Sequence, residues 1–149
     1  MIHMPAWAWP IAIPIAFALG WCFLMWAIAH LFGWSSLARH YRAADRFTGK
    51  LRHFRSGKIG WSNYSGCLTV GANSEGLYLA VMFLFRVGHP PLFIPWTDIA
   101  AAHGKVLWIF GEWVEFRTLK SGTKLLLRGS VGRELAADAN EAWAIDEPA

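Results

Sequence analysis

The first 38 residues of this 149-residue chain contain no Lys, Arg, Asp or Glu. Within them, residues 11–32 form an apolar run of 22 residues, which as a helix would be about 33 Å long and match a hydrocarbon core of about 30 Å. Pro10 and Pro14 lie near its start, where a missing N–H costs least. A helix that is apolar on every face would have to be buried on every side, and the rest of this chain is too small to cover it. The sequence therefore predicts a transmembrane helix over about residues 11–32.

A cleaved secretory signal is the alternative for this segment, because Ala27, Ile28 and Ala29 imitate a small-residue cleavage site. Against it, the N-terminal residues include no Lys or Arg, and the apolar run exceeds the roughly 7–15 residues that are usual in a signal. We therefore expect a retained anchor in the N-terminal segment 1–33. An exported β-sandwich with a cleaved leader remains the alternative.

A basic segment follows the anchor. Residues 39–58 contain seven Lys or Arg and one Asp, whereas the chain after residue 58 contains seven basic and nine acidic side chains. Short flanks rich in Lys and Arg stay in the cytoplasm, so we expect a single-pass protein of the cell inner (plasma) membrane, with its N-terminus outside and its C-terminal domain cytoplasmic. The basic residues are too localised to indicate a nucleic-acid partner. The candidate contacts with anionic lipid are Arg39, Arg42, Arg46, Lys50, Arg52, Arg55 and Lys58.

The segment 34–54 is predicted to be a basic amphipathic linker helix. Its apolar residues recur at steps of three or four, the spacing of one helix face. Ser35 or Ser36 would cap its start, and Thr48-Gly49 would end it. The helix would either lie in the headgroup plane or pack on the following domain. The apolar positions are Trp34, Leu37, Tyr41, Ala44 and Phe47.

After residue 58, short apolar runs divided by glycine and proline predict seven antiparallel strands. These are residues 58–64, 67–72, 77–85, 92–95, 106–110, 114–119 and 124–128. The run 77–85 becomes apolar on both faces and should be a central strand. Residues 132–143 predict a helix capped by Ser130, with Val131, Leu135, Ala139 and Ala142 on one side. The predicted fold class is mainly β: a transmembrane helix, then a β-sandwich or partly open barrel capped by a C-terminal helix, in a domain of residues 55–149.

Two segments resemble the bacterial pleckstrin-homology-like (PH-like) domains, which are often tethered behind a transmembrane helix. They are residues 76–79 (Gly-Leu-Tyr-Leu) and 94–99 (Ile-Pro-Trp-Thr-Asp-Ile), and the resemblance covers roughly residues 55–143. It implies a seven-stranded sandwich capped by a helix, generally without catalysis. Eukaryotic members that hold inositol phosphates place Lys and Arg around the first hairpin loop. The predicted loop here, Tyr64-Ser65-Gly66, has no cation, so we expect no dedicated phosphoinositide pocket.

The sequence does not specify a reaction. The six histidines include no pair at i,i+3 or i,i+4, and no cysteine lies near them, so the spacing does not indicate a metal site. Glu112 and Glu115 are interpreted as solvated side chains. Cys22 is expected inside the membrane and Cys67 outside it, so these two cysteines cannot pair. We therefore expect no catalysis, cofactor, metal or small-molecule substrate. A small membrane-bound enzyme acting on lipids is the alternative.

Two features could bind a partner. The loop that follows residue 88 is apolar and stiffened by two prolines, and its candidate partner-facing residues are His89, Pro90, Pro91 and Phe93. Alternatively this loop packs inside, with Trp96 and Ile99 filling the sandwich. An edge strand could also accept an extended peptide by strand addition. The expected function is a non-catalytic binding or assembly module at the inner membrane, with membrane lipids and a protein partner or second copy as its partners.

Overall fold

The computed structural model describes residues 3, 5–104 and 113–139. A 3₁₀ turn, Ala6–Ala8, leads into helix α1 (Trp9–Leu31), and helix α2 (Trp34–Tyr41) follows. The strands are β1 (Lys50–Ile59), β2 (Ser62–Ala72), β3 (Gly76–Val81), β4 (Leu92–Pro95), β5 (Ile99–Gly104), β6 (Trp113–Thr118) and β7 (Lys124–Arg128). Helix α3 (Gly129–Asp138) ends the described part. The predicted fold class is confirmed: an apolar N-terminal helix, seven antiparallel strands and a short C-terminal helix.

Helix α1 is apolar around its circumference and projects from the β domain. Phe17 and Phe23 are 71% and 68% exposed, whereas Met25 and Ala29, near the C-terminal end, are buried. With the preceding 3₁₀ turn, the segment Ala6–Leu31 is 26 residues long, which corresponds to about 39 Å. It is long and apolar enough to span a membrane.

Helix α2 is shorter than the sequence predicted. It ends at Tyr41, so the prediction that it continues to Thr48 was wrong. Arg42 instead forms an isolated antiparallel bridge with Leu92 of β4, and β1 already begins at Lys50. Pairing with the sheet therefore overrides the helical periodicity of this segment, since periodicity reports local preference only.

The start of α2 also differs from the prediction. The helix begins at Trp34, immediately after Gly33, whose φ is +111°. Glycine tolerates this left-handed conformation, which separates α1 from α2. Ser35 and Ser36 therefore lie inside the first turn and not at the capping position. The buried face of α2 consists of Trp34, Leu37 and Tyr41.

The strands form one antiparallel sheet in the order β4-β3-β2-β1-β7-β6-β5. Strand β1 is in the middle of this order, and β3, predicted as a central strand, is an interior strand that pairs with both β2 and β4. Register shifts flank Arg55, and the preceding residue, Phe54, has a φ of +57°. Beyond this bulge, residues 57–59 pair with β7 as well as β2. A β-bulge bends its strand, so β1 turns the sheet into a nearly closed, barrel-like form.

Several strand predictions were confirmed and others were displaced. The predicted strands 92–95, 114–119 and 124–128 correspond to β4, β6 and β7. The first hairpin turns at Gly60, whose φ is +58°, so residues 64–66 lie within β2 and are not a loop. The predicted strand 106–110 lies outside the described residues, and β5 was not predicted. The sequence misplaced this turn because the apolar residues on both sides of Gly60 resemble one continuous strand.

The core lies between the inner face of the sheet, the buried face of α2 and helix α3, which packs on β2, β6 and β7. Val131 and Leu135 of α3, and Ala139 immediately after it, are buried; the sequence placed these residues on one side of the helix. The helix begins at Gly129, so Ser130 lies within its first turn and does not cap it. The predicted helix end at Trp143 lies outside the described residues. The buried sheet residues alternate along their strands, including Leu68 and Val70, Leu77 and Leu79, Leu92 and Ile94, Val114 and Phe116, and Leu125 and Leu127.

Candidate membrane-proximal site

The segment between β3 and β4 packs against α1. The sequence predicted a strand through residue 85, but β3 ends at Val81 and a 3₁₀ turn follows. The indole N–H of Trp21 donates to the carbonyl oxygen of Leu84 at 2.9 Å. Gly88, with a φ of +73°, lies so close to α1 that a Cβ would be 3.0 Å from the Trp26 Cα. We call residues 82–88 the wedge loop, because they lie beside the apolar helix.

The β1–β2 turn provides a second attachment to α1. The backbone N–H of Trp61 donates to the carbonyl oxygen of Phe32 at 3.1 Å. A Cβ on Gly60 would collide with that same carbonyl oxygen, so glycine permits the close approach. The Trp61 side chain itself is 84% exposed. The turn therefore holds the helix end through its backbone and leaves a large aromatic side chain free beside it.

A buried polar cluster is hydrogen-bonded to the end of the wedge loop. Nδ1–H of His89 donates to the Val87 carbonyl oxygen at 3.0 Å, so Nε2 is the acceptor that receives the Tyr64 hydroxyl at 3.0 Å. A carbonyl can only accept, which places a proton on Nδ1; in the neutral ring Nε2 is then the acceptor. The Trp34 indole N–H donates to the Pro90 carbonyl oxygen at 3.0 Å. Burial lowers the pKa of His89 and raises the pKa of Tyr64 to about 12.

The predicted partner-facing residues do not form an exposed platform. His89 is buried, and Pro90, Pro91 and Phe93 are half-buried. The burial of His89 follows from its hydrogen bonds, since both ring nitrogens have partners inside the domain. The loop therefore packs inward, which was the alternative interpretation. The exposed apolar residues of this region lie in the wedge loop instead, at Phe83, Leu84 and Val87.

The predicted basic surface is divided. Arg52 is 9% exposed; its Nε lies 2.6 Å from Glu134 Oε2, and its guanidinium also pairs with Asp138. The hydrogen bond to Asp138 raises the pKa of Arg52. Arg55 lies 3.5 Å from Glu134. These two arginines join β1 to α3, so they do not belong with the exposed cations near the C-terminal end of α1. Arg46, Lys50 and Lys58 are exposed at other positions.

Arg39 and Arg42 lie in a groove at the corner between α1 and α2, where the wedge loop contributes Arg86. The groove has a volume of about 710 Å³. Trp26 and His30 of α1 also line the groove, and its remaining lining residues are Ser35, Ala38, Gly88, Pro90 and Pro91. We call this the arginine groove. Sequence reasoning missed Arg86, because nothing in the local pattern of the β domain indicates that the wedge loop returns to α2.

None of the three arginines forms an ion pair with a carboxylate among the described residues. A cluster of like charges without counterions attracts anions, most strongly where low-dielectric walls lie nearby. The guanidinium group also presents paired donors that match phosphate or carboxylate oxygens. The groove is therefore suited to an anion with several oxygen acceptors.

The described part of the chain contains no group of three or more His, Cys, Asp or Glu side chains that could hold a metal ion. Both cysteines are free thiols; burial raises the pKa of the half-buried Cys67. Another groove, of about 280 Å³, runs along the sheet from Leu51 and Phe54 towards Phe83. This second groove is largely apolar and has no concentration of charge comparable to the arginine groove.

Comparisons with protein-family models, with curated proteins and with solved structures give no match to this chain. The fold and the site themselves define the class: an apolar N-terminal helix attached to a nearly closed seven-stranded antiparallel sheet with a short C-terminal helix. The attachment consists of backbone and indole hydrogen bonds to the C-terminal half of α1.

Proposed function

We propose that the chain is a non-catalytic, single-pass protein of the cell inner membrane, whose cytoplasmic PH-like domain serves as a binding or assembly module. The observation that supports this most directly is the exposure of α1. Its large apolar side chains are exposed from Trp9 to Phe17, and contact with the domain starts at Trp21. An exposed apolar helix of this length requires an apolar environment.

The orientation is supported by the exposed basic residues. Arg39, Arg42 and Arg46 follow the C-terminal end of α1 closely, and the residues before α1 carry no Lys or Arg. Because Lys- and Arg-rich flanks stay in the cytoplasm, the β domain is assigned to the cytoplasmic side and the N-terminus to the outside.

The PH-like assignment is supported by the number and sequence of elements. Seven antiparallel strands followed by a helix are what the resemblance of residues 76–79 and 94–99 implies. The first hairpin turn, at Gly60 and Trp61, contains no cation. Recognition of inositol phosphate at that loop is therefore not part of the proposal.

The module would bind a protein through the edge of its sheet. The order of strands leaves β4 and β5 at the two ends. The bridge between Arg42 and Leu92 covers part of β4, whereas β5 pairs only with β6 within the described residues. An unpaired edge can accept an extended segment by strand addition. The proposed protein partner is therefore an extended segment of another membrane protein or of a second copy.

Membrane insertion and orientation are tested together by alkaline extraction of membranes and by reporter fusions at each terminus. We expect the full-length chain to stay in the pellet after alkaline extraction, because alkali releases peripheral proteins but not spanning helices. A reporter that is active only outside the cell should function at the N-terminus and fail at the C-terminus. Release of the chain by alkali, or an external C-terminus, would contradict the proposal.

A further inference from the structure

The arginine groove lies beside an uncovered apolar surface. Arg86 is in the same loop as Phe83 and Leu84, which are 73% and 51% exposed. Leu84 contacts α1 at Trp21, whereas the groove contacts α1 at Trp26 and beyond. Five residues of helix separate these two levels, which corresponds to about 7.5 Å along the axis. The groove thus lies at one level of α1, and the backbone that carries the exposed Phe83 and Leu84 meets α1 at the next level towards its N-terminus.

This order matches the boundary between headgroups and acyl chains. A span that begins at Ala6, before the start at residue 11 that the sequence predicted, reaches Trp26 after 21 residues. As a helix this is about 31 Å, which matches a hydrocarbon core of about 30 Å. Such a register places Trp26 at the interface, where tryptophan is enriched. It also places the exposed side chains of the wedge loop among acyl chains and the arginines at phosphate level.

We propose that the arginine groove binds an anionic phospholipid, with the headgroup phosphate on Arg39, Arg42 and Arg86 and the acyl chains beside α1 and the exposed wedge-loop residues. This inference rests on the proposed function, because it takes α1 as the membrane-spanning helix. Charge complementarity and continuity with α1 identify the occupant. A soluble phosphorylated ligand would leave Phe83 and Leu84 exposed to water, whereas a lipid covers both the charge and the apolar surface.

The test uses the purified full-length chain in a neutral detergent, with lipid retention measured by native mass spectrometry. The probes are phosphatidylglycerol, phosphatidylcholine and inorganic phosphate. We expect phosphatidylglycerol to be retained and the other two to be retained poorly. Loss of each arginine should weaken retention about fivefold, so the triple variant Arg39→Gln/Arg42→Gln/Arg86→Gln should lose affinity on the order of a hundredfold.

The matched control is Arg46→Gln/Lys50→Gln/Lys58→Gln, which removes the same charge from exposed positions outside the groove. It should retain phosphatidylglycerol within about twofold of the unmodified chain. Equal losses in the two triple variants would show diffuse attraction by the basic segment and would overturn the site. Equal retention of inorganic phosphate and phosphatidylglycerol would also overturn it, since the ligand would then not be a lipid.

Arg86→Gln alone keeps the proposal testable if a triple variant fails to fold. Arg86 is exposed on the wedge loop, and its single replacement should still weaken retention about fivefold; unchanged retention would overturn the site. The outcome is distinguishable from failure of the proposed function. If the chain resists alkaline extraction but shows no lipid selectivity, only the proposed lipid site is contradicted. If alkali releases the chain, the proposed membrane insertion is contradicted.

Discussion

Three aromatic residues that carry polar groups are buried at the junction of α1 and the β domain. Trp34, Tyr64 and His89 lie with ring centroids 5.1–5.7 Å apart, and their polar atoms are hydrogen-bonded to each other or to carbonyl groups of the loop. A buried polar group without a partner costs about 1–3 kcal/mol. The cluster therefore fixes the loop between β3 and β4 in one conformation, provided that His89 stays neutral.

The state of His89 predicts a pH dependence of stability. Burial lowers its pKa below 6.5 in the folded chain, so around and below that pH the unfolded chain binds more protons than the folded one. The free energy of unfolding should therefore be highest above about pH 6.5 and should decrease as the pH falls towards the lowered pKa of the folded chain. The slope from this group is at most about 1.4 kcal/mol per pH unit. Denaturant unfolding in detergent micelles, between about pH 8 and about pH 5, measures this slope.

Two variants assign the slope to this residue. His89→Gln removes the titrating group and should flatten the pH dependence, although it also lowers stability at neutral pH by disturbing the bonds to Tyr64 and Val87. His53→Gln is the control, because His53 is exposed and bonds to Thr69 on the sheet surface. A slope that survives in His89→Gln, or disappears in His53→Gln, would contradict the assignment.

The wedge loop is the element that the local sequence pattern did not predict. Its apolar residues continue the pattern of β3, yet the strand ends at Val81 and the chain turns along α1. Two observations explain this change: the Trp21 indole bonds to Leu84, and Gly88 allows the backbone to approach α1 closely. The wedge loop therefore depends on α1 for its conformation and in return fixes the helix to the domain.

A pair of glycine variants tests this contact. Gly88 and Gly122 have φ values of +73° and +65°, so Ala carries a similar backbone cost of about 1–2 kcal/mol at either position. Only at Gly88 would the new Cβ press on α1, at 3.0 Å from the Trp26 Cα; at Gly122 nothing lies within 4 Å. Gly88→Ala should therefore lower the free energy of unfolding more than Gly122→Ala, and should speed hydrogen exchange in the wedge loop. Equal effects in the two variants would show that the loop does not depend on packing against the helix.

On the scale of the whole molecule, the sheet is nearly closed but keeps two end strands. The chain segment after α2 bridges to β4 at Leu92, and β1 turns the sheet at the bulge around Phe54 and Arg55. At the other end of the sheet, β5 pairs only with β6 within the described residues. Any strand addition should therefore occur along β5.

Site-specific crosslinking tests the edge of the sheet. A photoreactive residue in place of Ala100, which is exposed on β5, should form a defined crosslink to a second copy or to another membrane protein in intact membranes. The same residue in place of Ser74, exposed in the turn between β2 and β3, is the control and should form none. Equal capture at both positions, or capture at Ser74 alone, would contradict a binding role for β5.

The sequence predicted the elements whose signals are local. Apolar length alone identified the spanning candidate, and alternation with flanking turn residues located β4, β6 and β7, since each pattern reports one segment and its nearest neighbours. The same local logic placed the first turn wrongly, because Ile59 and Trp61 look like one strand across Gly60. It also extended α2 beyond Tyr41, where pairing with β4 ends the helix.

By itself, the sequence determined an apolar helix, a basic segment after it and a β domain, because composition and periodicity are properties of contiguous residues. Only the tertiary structure separated Arg52 and Arg55, which bind α3, from Arg39 and Arg42, which meet Arg86. It also decided that His89 is buried. The physical reason is that burial and charge clustering depend on which distant segments the fold brings together, and no pattern along the chain records that.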